Sequence, residues 1–136
     1  MRLQEYEAAD IFEKAGIPVP RRRVVETTGE ALSAAGEIGY PVVIKAQVLV
    51  GGRGLAGGIK TAKSPHELET QTDALLGSDI RGLPVNKILI SQQIEIEKEL
   101  YIGITVDGFT GKPVIVISTE GGVNIEETAQ TSPDKI

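Results

Sequence analysis

The 136 residues carry 14 Lys plus Arg against 19 Asp plus Glu, a net charge of −5, and no cysteine. That balance argues against nucleic acid as a partner, which needs a basic surface, while the lack of thiols excludes disulfides and thiolate metal sites and fits a reducing compartment. The length suffices for one domain with a real core and is short for an enzyme of several lobes. The opening stretch MRLQEYEAADIFEKAG is amphipathic and charged, without an apolar run of signal-peptide or membrane-span type, so a soluble intracellular protein and no membrane partner are expected.

Tyr6, Ala9, Ile11, Phe12 and Ala15 recur at helical spacing, and Gly16, Ile17 and Pro18 supply a cap, its hydrophobic contact and a stop. Residues 18–23 read as an extended linker leading to Val24 and Val25. Thr27 and Glu30 then fit a capping box for a second helix with the stripe Ala31, Leu32, Ala35 and Ile38. Gly39, Tyr40 and Pro41 stop it, and the run Val42, Val43, Ile44 predicts a buried strand ending at Lys45. A short strand is predicted over residues 59–61. Ser64, Pro65 and Glu67 start a third helix, with Leu68, Leu75 and Leu76 facing the core. Residues 85–90 are strand-like. Residues 99–107 alternate strictly, which predicts a strand burying Leu100, Ile102, Ile104 and Val106 and presenting Glu99, Tyr101, Gly103 and Thr105. A loop of Asp107, Gly108, Thr110 and Gly111 returns the chain through residues 114–117 as an antiparallel neighbour. The tail, STEGGVNIEETAQTSPDKI, has turn chemistry and no closing element, so the chain is expected to be a piece of a larger fold.

Between the strands predicted at residues 42–44 and 59–61 runs VLVGGRGLAGGIK, with five glycines among residues 51–58. Three phosphate-loop readings compete for it. Gly52, Gly54 and Gly57 satisfy the dinucleotide fingerprint G-x-G-x-x-G, but that motif must open a helix, and Ile59 and Thr61 favour a strand. Residues 54–61 approach G-x-x-x-x-G-K-[ST], yet Ile59 holds the second required glycine and no helix follows Lys60. The third reading is a flexible loop between antiparallel strands, closing over a nucleotide whose phosphates meet backbone N–H groups, Arg53 and Lys45. An ordinary hairpin with Arg53 in solvent is the bland alternative, and the adjacent Lys45 favours the nucleotide loop over it. His66 reads as a solvated surface residue. Glu95 and Glu97 read as a solvated strand edge rather than a metal cluster.

VVIKAQVLVGGRGLAGGIK, with LQEYEAADIFEKAGIPVP before it and KELYIGITVD and STEGGVNIEE after it, closely resembles the N-terminal part of the succinyl-CoA synthetase beta-subunit family. The resemblance implies an α+β ATP-grasp fold: a glycine-loop lobe over residues 21–94, and the incomplete beginning of a second lobe over residues 95–136, to which the helix and linker of residues 1–20 also belong. It implies a ligase of the tricarboxylic acid cycle, working in the cytoplasm with an alpha subunit. That enzyme converts succinate, coenzyme A and ATP to succinyl-CoA, ADP and phosphate through a phosphohistidine on the alpha subunit, so His66 is not that residue.

Residue by residue, Lys45 matches a strand lysine on nucleotide phosphate, and Gly52, Arg53 and Gly54 match the phosphate-covering loop. Residues 91–94, including Ser91 and Ile94, match the hinge along the adenine edge, and Glu99 matches a carboxylate near the nucleotide. Ser91 stands where some relatives carry glutamate, so a backbone contact is the one expected there. GTP is the alternative nucleotide. The magnesium ligands, an Asn and an Asp, are expected beyond Ile136, and no catalytic residue is expected within the chain, which alone should be inactive. Related malate-, acetate- or citrate-CoA ligases, or a non-catalytic nucleotide-binding module, are the alternative readings.

Overall fold

The structure is a computed structural model that describes residues 2–121 and 125–136, with the side chains of Glu126 and Glu127 outside the described set. Residues 122–124 of the STEGGVNIEE segment therefore lie outside the described residues. The chain divides into two units, Met1–Ile94 and Glu95–Ile136.

In the first unit, α1 (Glu5–Lys14) ends as the Gly, apolar, Pro pattern predicts. Gly16 takes φ +79°, Ile17 N–H donates to the Phe12 carbonyl at 2.9 Å and Gly16 N–H to that of Glu13 at 3.0 Å, the two bonds of a Schellman cap. Strand β1 (Arg22–Val25) leads to α2 (Thr28–Ile38), whose start is the predicted capping box of Thr27 and Glu30. Then come β2 (Val42–Ala46), β3 (Ile59–Ala62) and α3 (Pro65–Leu75), the last capped by Ser64 with Pro65 at its first position. Two very short strands, β4 (Asp79–Ile80) and β5 (Leu83–Pro84), form a hairpin that residue patterns do not announce. Its turn is closed by Arg81 and Gly82, both at positive φ, the geometry of a two-residue hairpin.

Strand β6 (Ile88–Gln92) completes an antiparallel sheet of order β1-β6-β2-β3. It begins three residues later than the apolar run beginning at Val85 suggests. Val85 is fully buried, yet its N–H donates to the Ser78 carbonyl and its own carbonyl accepts from Gly77, so it closes the short hairpin rather than joining the sheet. Val25, Val42, Ile44, Ala46, Ile88 and Ile90 pack from one sheet face against Ala31, Ala35, Ile38, Leu68 and Leu75 of α2 and α3. Each of the larger of these side chains contributes about 1.5–3 kcal/mol by leaving water.

The second unit contains β7 (Tyr101–Val106), β8 (Pro113–Ser118), α4 (Ile125–Thr131) and a terminal 3₁₀ turn over Pro133–Lys135. The hairpin and its Asp107 turn are as predicted, and Asp107 accepts the Phe109 N–H at 2.9 Å. Two expectations fail here. Leu100, Ile102, Ile104 and Val106 are 62–76% exposed rather than buried, because a two-stranded ribbon by itself buries little of either face. The tail, read as turns, contains α4.

Candidate functional site

Strand alternation sets the site. With Val42, Ile44 and Ala46 directed to the core, Lys45 and Val43 project from the other sheet face. The register pairs Lys45 with Leu89 and Val43 with Ser91, and pairs Ser91 in turn with Arg22 of β1. Over this face lies α1. Arg22 reaches it through Asp10 at 2.7 Å and Glu13 at 3.0 Å. Burial lowers the Arg22 pKa, but the hydrogen bonds and charges of those two carboxylates outweigh it and hold the guanidinium above its ordinary value.

The glycine segment between β2 and β3 is a series of turns. Gly52 adopts φ +66°, and a Cβ there would sit 3.0 Å from the Arg81 guanidinium, which also donates to the Gly51 carbonyl at 3.1 Å. Gly58 donates to the Arg53 carbonyl at 2.8 Å, so close that a Cβ at Gly58 would stand 3.0 Å from the same oxygen. Beyond it, Lys45 pairs with Ile59 and Ile44 with Lys60 in β3. No helix follows the loop, which removes both the dinucleotide and the G-x-x-x-x-G-K-[ST] readings and leaves strand, loop and strand.

Arg53 is not a solvated loop residue. Its guanidinium donates to the Ala46 carbonyl at 3.1 Å and ion-pairs with one carboxylate oxygen of Glu5, while the Lys45 ammonium donates to the other at 2.7 Å. The Lys45 and Arg53 side chains are only 25% and 18% exposed. Burial holds both cations below their ordinary pKa ranges even beside the carboxylate. Two half-buried cations share one anion, which leaves net positive charge at a place that disfavours it. Buried Gln47 fixes the start of α1 here: its side-chain oxygen accepts the Tyr6 N–H at 3.4 Å, and its amide donates to the Lys45 carbonyl at 3.0 Å.

Two hollows flank this cluster. One, of about 240 Å³ and mostly apolar, is bounded by Ala9, Phe12 and Leu89, with Lys45, Ser91 and Glu5 at its polar margin. The other, of about 480 Å³, runs past Gly51, Arg53 and Glu5. Of the predicted residues, Lys45, Gly52, Arg53 and Gly54 thus lie in or beside one cluster, and Ser91, almost fully buried, shares a hollow with Lys45. Ile94 is exposed beyond the end of β6. Glu99 belongs to the second unit, where its carboxylate packs against Gly121. His66 is exposed, as are Glu95 and Glu97. Residue patterns missed Glu5, Gln47 and Arg81. Among the described residues no three His, Asp or Glu side chains are grouped as metal ligands, and no helix is long and apolar enough to cross a membrane.

Comparison with known proteins adds the following. The family described as ATP-grasp domain matches residues 2–136. The succinate–CoA ligase [ADP-forming] subunit beta of Haloarcula marismortui is 51% identical over the whole chain, and that of Halorubrum lacusprofundi 53%. The chain spans 36% of the length of these curated relatives. Among solved structures, Ca. Korarchaeum cryptofilum ACD1 in complex with coenzyme A superposes with a TM-score of 0.71 at 31% identity, covering 90% of this chain and 54% of that one.

Proposed function

The chain belongs to the ATP-grasp family, and from that premise we propose that it is the nucleotide-binding part of the beta subunit of an acid–CoA ligase that forms succinyl-CoA from succinate, coenzyme A and ATP. In this reading the complete protein works in the cytoplasm with an alpha subunit that carries the phosphohistidine. Residues 21–94 form the glycine-loop lobe and residues 95–136 begin the second, to which the helix and linker of residues 1–20 are assigned in the complete fold although they fall within the first unit here. ATP is the preferred nucleotide, with GTP as the alternative.

The observation that carries the reading is the convergence of Lys45 and Arg53, both half-buried, at the mouth of the glycine turn. Two cations with one carboxylate between them have capacity for more negative charge, and a phosphate chain supplies it through charge-assisted hydrogen bonds. The apolar hollow beside Ser91 is smaller than the roughly 300–1,000 Å³ of a drug-sized site. It fits one ring system, and the hinge backbone of residues 91–94, Ser91 and Ile94 included, supplies the polar edge a purine needs. Gly52 and Gly54 bring bare backbone to the phosphates, and Glu99 is assigned a nucleotide role on the family match alone.

Magnesium belongs to this reading for the complete protein, with its Asn and Asp ligands beyond Ile136; among the described residues no three His, Asp or Glu side chains are grouped as metal ligands. The likeness to the Ca. Korarchaeum cryptofilum dinucleotide forming acetyl-coenzyme A synthetase 1, at 30% identity and a TM-score of 0.69, favours a second reading, a related ligase for another small acid such as acetate. Turnover of the complete protein with succinate, malate, acetate and citrate separates the two.

The nucleotide site is tested by Lys45→Ala. Losing a preorganised charged donor is expected to cost about 1.5–3 kcal/mol of ATP and ADP affinity by calorimetry, with little change in thermal unfolding. Unchanged affinity in the folded variant overturns the assignment.

A further inference from the structure

Glu5 has no role in the reading above, yet it stands at the centre of the cluster. It is the first residue of α1, one of its carboxylate oxygens is on Lys45 and the other on Arg53, and it borders both hollows. A ligand with its ring in the apolar hollow and its phosphates along the glycine turn must pass this carboxylate and use the same two donors. Glu5 in turn has weak anchorage behind it. Helix α1 buries no residue: Ile11 and Phe12 are about half exposed, and its polar ties are Gln4 and Tyr6 to Gln47 and Asp10 and Glu13 to Arg22.

Resting on the nucleotide reading, we propose that Glu5 is an internal stand-in for phosphate, a carboxylate that neutralises Lys45 and Arg53 while the site is empty and must be displaced by the anionic part of the ligand. Two physical facts support the exchange. Half-buried cations left without an anion are costly, so an internal counter-ion keeps the empty site folded. A carboxylate that remained in place would repel an arriving phosphate at close range in a partly dry site. Displacement resolves both, because a polyphosphate carries more charge than the single carboxylate it replaces. Glu5 would thereby weaken nucleotide binding and select for ligands with enough negative charge to compete.

The test is Glu5→Gln, which removes the charge and keeps the shape, with Glu5→Asp as a second variant that retains the charge but draws it back by one methylene. Inorganic tripolyphosphate, ADP and adenosine are titrated calorimetrically, with thermal unfolding to confirm that each variant is folded. Tripolyphosphate and ADP are expected to bind roughly tenfold more tightly to Glu5→Gln, with a smaller gain for Glu5→Asp and no change for adenosine. Unchanged or weaker tripolyphosphate binding in both folded variants overturns the proposal. Tighter tripolyphosphate with no ADP binding to any form upholds the stand-in and removes the nucleotide reading instead. Amide hydrogen exchange gives the independent readout: residues 5–14 are expected to exchange faster in the ADP complex than in the free protein, and equal protection overturns displacement.

Discussion

The two faces of the four-stranded sheet are built from alternate residues of the same strands and hold their covering helices by different forces. Toward α2 and α3 the sheet presents Val25, Val42, Ile44, Ala46, Ile88 and Ile90, all essentially buried among aliphatic side chains. Toward α1 it presents Arg22, Lys45 and Ser91 beside Leu89, and that helix is held by ion pairs and buries no residue. Aliphatic burial is non-directional and keeps its value under most conditions, whereas a charge at a half-wet surface is retained at a cost that a matching ligand can lift. The fold is thus made on one face, and the proposed nucleotide site lies on the other.

The largest expected effect comes from attacking the aliphatic face. Ile44→Ala removes a fully buried side chain between the sheet and both helices and is expected to lower unfolding free energy by about 2–5 kcal/mol in urea titration. Where the variant remains folded, its ADP affinity should match that of the parent, since Ile44 and Lys45 point to opposite faces. A parallel loss of affinity would show that the faces are coupled. Lys45→Ala is the mirror experiment, with affinity lost and stability kept.

Asp10→Asn probes the ionic face more gently. It breaks one of the two ion pairs by which Arg22 of β1 holds α1, at a carboxylate that is 57% exposed, and a pair open to solvent on that side is worth about 0–1 kcal/mol. Global stability should hardly move, while hydrogen exchange across residues 5–14 should accelerate. A loss of several kcal/mol would mean that α1 belongs to the cooperative core and would contradict its loose attachment.

How far the residues announce this arrangement depends on sequence separation. Local chemistry was legible: the Thr27 and Glu30 box, the Gly16 cap, the Ser64 and Pro65 helix start and the Asp107 turn each act within a few residues and formed as read. Lys45 and Arg53 were legible because strand and loop are adjacent in the chain. Glu5 was not, since 40 residues separate it from Lys45 and no spacing rule spans such a distance. The hairpin at Arg81 is silent in the sequence because two-residue strands carry no periodicity, and Val85 reads as part of the neighbouring strand because burial alone does not distinguish a sheet from a turn packed under it. The alternation in β7 correctly gave a strand, but a pattern states which face is apolar and not whether that face is covered.

The smallest effect concerns the polar cap supporting the aliphatic face. Glu30 accepts the backbone N–H of Glu26 at 2.9 Å and of Thr27 at 3.2 Å, closing the start of α2. Those hydrogen bonds, the one from Glu26 first, hold its carboxyl below the usual carboxylate range, and nearby Arg23 adds to the effect. Because the folded pKa lies below the unfolded one, the ionised form favours the folded chain. Its contribution is present above the unfolded pKa and is lost as pH falls through the folded one. Glu30→Gln keeps an acceptor and cannot ionise. Between about pH 6 and about pH 3 the melting temperature of the parent should therefore fall further than that of the variant, and the gap between them should close at the acid end. Every other carboxylate titrates in both proteins, so the difference isolates Glu30. Parallel profiles would show that the charge at this cap adds nothing beyond the hydrogen bonds an amide can make.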